Sequence, residues 1–80
     1  MRNKRKAGDR PNEARFISEA IAQFPSTFSL RAFPGKVFRI SPSASYMTAI
    51  GILLYVQEQW AEGWRDFGKA TPEELRRCIV

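Results

Sequence analysis

The chain has 80 residues, 44% of them hydrophobic, with six Phe, two Trp and two Tyr, a composition too apolar for a disordered chain and sufficient for one small globular domain. One cysteine, Cys78, excludes an intramolecular disulfide framework, and the absence of histidine removes the commonest general base and metal ligand. The net charge of +5 is uneven: Arg2, Lys4, Arg5, Lys6 and Arg10 stand against Asp9 in the first ten residues, which leaves the remainder close to neutral.

Residues 1–10 are polar and aperiodic and are read as a basic flexible arm, with Lys4, Arg5 and Lys6 available to phosphate backbones or acidic surfaces. No apolar segment follows this basic start, so it does not read as a signal peptide. Residues 11–80 are read as a single α+β domain. From Pro11 the apolar residues Phe16, Ile17, Ala20, Ile21 and Phe24 recur at helical spacing, which predicts an amphipathic helix that Pro25 terminates.

Thr27–Phe33 and Val37–Ser41 flank Pro34-Gly35-Lys36 and predict a hairpin. A three-residue loop there sets Leu30 opposite Ile40 and Ala32 opposite Phe38, giving one apolar face. The same register sets Arg31 opposite Arg39 on the outer face, with Lys36 at the tip. Facing like charges are unfavourable unless neutralised, and no acidic residue lies between Glu19 and Glu58. Arg31, Lys36 and Arg39 are therefore candidate anion contacts; the bland alternative is two solvated arginines that splay apart.

Ser41-Pro42-Ser43-Ala44-Ser45 is read as a turn or short loop, because serine and proline favour local side-chain-to-backbone bonds over a ladder. Ala49–Trp60 is the longest apolar run and predicts the central strand, with Gly51 marking a bulge or bend and Ile50, Ile52, Leu54 and Val56 on one face. Its central run, Ala49–Val56, falls far short of the roughly 20 residues needed to cross a bilayer, so a cytoplasmic protein with no membrane contact is expected. The return strand starts near Trp64. A four-residue loop at Trp60–Gly63 pairs Glu58 with Arg65 and Val56 with Phe67; a three-residue loop opposes the two tryptophans but also Glu58 and Asp66. Charge matching favours the first. Trp60 and Trp64, near a hairpin tip where full burial is hard, are candidate aromatic anchors.

Thr71-Pro72-Glu73-Glu74 carries the strongest local signal: an N-cap, proline in the first turn and a capping-box glutamate. Leu75, Cys78 and Ile79 are expected to face inward, Cys78 as a small core residue. The predicted architecture is thus an N-terminal helix, a four-stranded antiparallel meander and a short C-terminal helix. No phosphate-cradling glycine loop, zinc spacing, catalytic constellation or known nucleic-acid motif is present, so neither an enzyme nor a cofactor or metal is expected.

Across about half of the chain, Phe38–Val80, three segments carry a resemblance. They are Phe-Arg-Ile-Ser-Pro at 38–42, Leu-Tyr-Val-Gln at 54–57, and Gly-Trp-Arg-Asp-Phe-Gly-Lys-Ala-Thr-Pro-Glu-Glu-Leu-Arg-Arg at 63–77. This part resembles small phage- and prophage-encoded accessory proteins. The resemblance implies a host-directed inhibitor, anti-CRISPR proteins being a well-populated class of this size, with a host protein or ribonucleoprotein such as a CRISPR effector as partner in the bacterial cytoplasm. It carries over no catalytic residue. The competing expectations are a direct, sequence-tolerant nucleic-acid-binding protein and a virion assembly component.

Overall fold

The computed structural model describes the backbone of residues 2–80 and the side chains of residues 12–80. Helix α1 (Arg2–Ile21) leads into strands β1 (Phe28–Leu30), β2 (Phe33–Thr48), β3 (Gly51–Trp60) and β4 (Gly63–Ala70), and helix α2 (Pro72–Cys78) follows. The strands form one antiparallel sheet in the order β1-β2-β3-β4, the meander expected of this α+β chain. α1 is longer than the helix expected from Pro11. The expected arm of residues 1–10, with Lys4, Arg5 and Lys6, lies outside the residues whose side chains are described.

One face of the sheet carries the core. Phe28, Leu30, Phe38, Ile40, Leu54 and Val56 are buried there with Leu75 of α2, and Ile21, Phe24, Ile52, Ala70 and Ile79 pack against them. Ile17 and Ala20 of α1 are buried as its stripe predicts, whereas Phe16 is exposed. Ile21 of α1 and Leu75 of α2 therefore both meet the core face of the sheet.

The hairpins differ in detail from the sequence reading. β1 and β2 are joined by a turn at Arg31–Ala32, with Leu30 opposite Phe33 and Phe28 opposite Phe38. The Pro34-Gly35-Lys36 signal marks an irregularity inside β2, where Gly35 takes φ +84, and not the reversal itself. Arg31 accordingly does not face Arg39, whose partner is Gln57. The reason is distant in sequence. Leu30 forms a bridge with Ile79, the Arg31 amide donates to Cys78 O at 2.8 Å and the Val80 amide to Ser29 O at 3.1 Å. The end of α2 thus pins β1 from its free side and sets where the chain turns.

β2 and β3 meet at Ala49–Ile50, so Ile50 sits on a turn at 94% exposure instead of joining the core. β3 and β4 meet at Ala61–Glu62, a two-residue connection. It keeps the expected Glu58–Arg65 pair and sets Trp60 opposite Gly63. Among the described residues no non-glycine residue has positive φ, so neither turn is of the primed type that ordinarily matches strand twist. Gly51 at φ +139 and Gly63 at φ +135 follow the two turns and absorb the mismatch.

Ser41–Ser45 stays within β2 as a bulge, since Ser41 pairs with Tyr55 but Tyr46 with Leu53. The Ser45 hydroxyl donates to Ser41 O at 2.7 Å and accepts from the Tyr55 amide at 2.9 Å, replacing ladder bonds that the extra residues interrupt. A second bulge leaves Phe67 unpaired, because Gln57 pairs with Asp66 and Val56 with Gly68, not with Phe67 as expected.

Candidate functional site

The tryptophans mark the free end of the β3–β4 hairpin. Gln59 pairs with Trp64 and Trp60 with Gly63, so alternation sends the two indoles to opposite faces of the sheet. Trp60 lies on the core side but beyond the core, 42% exposed. The guanidinium carbon of Arg65 lies 4.0 Å from its ring centroid, and Lys36 Nζ lies at 5.6 Å. Trp64 lies on the outer face with the guanidinium carbon of Arg39 at 4.4 Å. Each ring thus offers its negative face to a cation, an attraction of about 0.5–1 kcal/mol at exposed sites.

The cations have further partners. Lys36 Nζ lies 3.1 Å from Glu58 Oε2, whose side chain is only 12% exposed, so this carboxylate absorbs part of the lysine charge. Arg39 Nε donates to Gln57 Oε1 at 3.0 Å, and Gln57 Nε2 donates to Asp66 Oδ1 at 3.3 Å. Arg65 reaches Glu62 at 3.8 Å. These contacts hold the cations in place beside the rings, and none of the described ion pairs includes Arg39.

Of the residues read as candidates, Lys36, Arg39, Trp60 and Trp64 come together at this end of the sheet. Arg31 does not. Its guanidinium lies against the C-terminal end of α2, where Nη1 donates to Arg77 O and Nη2 to Ile79 O, both at 3.1 Å. With its amide on Cys78 O, Arg31 serves three consecutive carbonyls that a helix end leaves without intrahelical partners. The α2 C-cap, Ile79, is extended, so the left-handed glycine motif that commonly does this work is missing here. Arg31 caps α2 and does not stand with Arg39 at the hairpin end.

Arg65 was the residue missed. Once Trp60 and Gly63 are taken as the innermost pair, alternation places Arg65 on the Trp60 side, so the signal lay in the register. A second row was also overlooked: on the outer face Lys69 Nζ lies 5.8 Å from the Tyr46 ring centroid, and the Tyr55 hydroxyl donates to Asp66 Oδ2 at 3.4 Å. Cys78, expected inside, is exposed, because α2 ends there and turns only Leu75 fully inward.

Among the described residues no group of three potential metal ligands converges. No described helix is long and apolar enough to cross a membrane. No family model, curated protein or solved structure matches the chain.

Proposed function

We propose that this chain is a small non-enzymatic binding protein, phage-encoded, that docks on a nucleic-acid-handling complex of its bacterial host and inhibits it, as the resemblance to phage accessory proteins implies. A CRISPR effector is the kind of ribonucleoprotein meant. The observation that carries the reading is the free hairpin end with a tryptophan on each face and a cation against each ring. An 80-residue domain ordinarily keeps its large aromatics in the core, and rings spent on the surface suit contact work. Aromatics give a protein partner desolvated anchors, while Arg39 and Arg65 offer guanidinium donors to phosphate. A two-faced tip of this kind fits a cleft with protein on one wall and nucleic acid on the other.

Affinity capture from host lysate, with and without nuclease, tests the proposal. The wild-type chain should retain a nucleoprotein complex, and Trp60→Ala with Trp64→Ala should lose it while circular dichroism stays unchanged. Recovery of capsid or tail proteins alone would sink the reading. The second reading, direct nucleic-acid binding, draws on the net charge of +5 and on the outer-face row Arg39–Trp64 and Lys69–Tyr46. It requires affinity for single-stranded DNA or RNA that falls steeply with salt. No binding at low salt eliminates it.

A further inference from the structure

Beneath α2 the core face is not closed. A cavity of about 340 Å³ opens there between the helix and the sheet, its floor made by Leu30, Val56, Ala70 and Leu75 and its mouth by Phe33 and Phe67. The wall is almost wholly carbon. Phe33 and Phe67 are both exposed and meet edge to face, with ring centroids 4.9 Å apart, so an apolar lip continues the apolar interior to the surface.

The charged residues around this cavity are all of one sign. Arg31, Lys69 and Arg77 border it, and no described carboxylate does. The Lys69 ammonium is directed to the Tyr46 hydroxyl on the outer face, which leaves the two arginines. Arg31 spends two of five N–H donors on α2 carbonyls, and Arg77 takes part in none of the described ion pairs.

We infer that this cleft binds a single-chain carboxylate amphiphile, a medium-chain fatty acid, with the acyl chain under α2 and the carboxylate against Arg77 and Arg31. Two observations select this occupant over a peptide. A peptide backbone buried against a carbon wall would leave its own N–H and C=O groups unpaired, a cost an acyl chain avoids. The volume of about 340 Å³, at roughly 30 Å³ per heavy atom, accommodates about eleven atoms, more than a leucine or phenylalanine side chain supplies. The single-sign rim then selects an anionic head. The inference is independent of the docking proposed for the hairpin tip.

Cys78, the sole cysteine of the chain, borders the same cavity and is exposed, so it reports occupancy. The rate of its reaction with N-ethylmaleimide is measured by mass spectrometry in the presence of dodecanoate, decanoate, dodecanol or dodecyltrimethylammonium, all below their micellar range. Dodecanoate should slow labelling in a saturable way. Decanoate, two methylenes shorter, should need about 15-fold more for the same protection, at about 0.8 kcal/mol per buried methylene. The cationic amphiphile should protect poorly. Arg77→Glu should weaken dodecanoate at least about tenfold, an effect of about 1.4 kcal/mol, and leave dodecanol unchanged. Methyl NMR shifts at Leu30 and Leu75 provide a readout that does not depend on the thiol. Absence of both shifts and protection with dodecanoate overturns the site. Equal protection by the cationic amphiphile, or an Arg77→Glu variant that binds dodecanoate normally, overturns the carboxylate assignment.

Discussion

Replacing Arg31 by alanine separates its two possible roles cleanly. Its side chain makes two hydrogen bonds at 3.1 Å to carbonyls at the end of α2. Buried charge-assisted bonds contribute about 1.5–3 kcal/mol each, but Arg31 is exposed, and solvent screening brings the pair down to about 1–2 kcal/mol in total. The helix it holds has only seven residues, too few to persist without docking. For a domain of this size, each kcal/mol corresponds to about 4–8 °C in Tm, so Arg31→Ala should melt roughly 4–16 °C lower. Arg31→Lys should recover less than half of the loss: an ammonium keeps the favourable charge at the helix C-terminus, about 0.3–1 kcal/mol, but lacks the fork that spans two carbonyls. Thermal and urea unfolding of the three proteins measure this directly, and capture of the partner should be unchanged for the folded variants. If Arg31→Ala melts with the wild type while partner capture is lost, the cap assignment is wrong and Arg31 belongs with the contact residues.

Five further outcomes follow from the geometry. Leu75→Ala, at a side chain buried between α2 and the sheet, should cost about 2–5 kcal/mol, whereas Cys78→Ser should stay within about 0.5 kcal/mol, both read from urea midpoints. Thr71→Ala removes the hydroxyl that accepts from the Glu74 amide at 3.2 Å and should cost about 1 kcal/mol by the same measurement. Gly63→Ala should destabilise by about 1 kcal/mol or more, although no atom would crowd the added methyl, because φ is +135 there; a neutral result would refute the turn geometry. Glu58→Gln removes the carboxylate beside Lys36, so any single-stranded nucleic-acid affinity measured by fluorescence anisotropy should rise and its salt dependence steepen.

What the sequence revealed was the local part of the fold. The capping box of α2 is present with both of its reciprocal bonds, Thr71 to Glu74 and back, because a cap depends on residues three apart. Of the expected inward face Phe28, Leu30, Ala32, Phe38 and Ile40, four residues were legible for a similar reason, since strand alternation needs no knowledge of the partner; Ala32 lies on the turn and is exposed. The register of β1 on β2 was not. It is decided by Ile79 and Val80, which reach the free side of β1 from the far end of the chain. Ile50 misled because β-branched residues suit strands, and the turn beside it becomes workable only through the positive φ of Gly51. In the candidate site the aromatics were visible as an excess over what a small core needs. Which cation meets which ring follows from pairing across strands, and the mispaired hairpin took Arg31 for a partner of Arg39.

The bulge at Phe67 governs how the molecule treats its own copies. β4 is the outermost strand on its side of the sheet, and a flat outermost strand invites another chain to continue the ladder. Here the unpaired Phe67 interrupts the regular spacing of its amides and carbonyls midway along eight residues, with Arg65, Asp66 and Lys69 placed around the break. The ring so displaced packs against Phe33 and Phe38, so straightening the strand to accept a neighbour would undo an aromatic cluster. Resistance to fibrous self-association is therefore coupled to native packing, and Phe67→Ala is where the two should fail together.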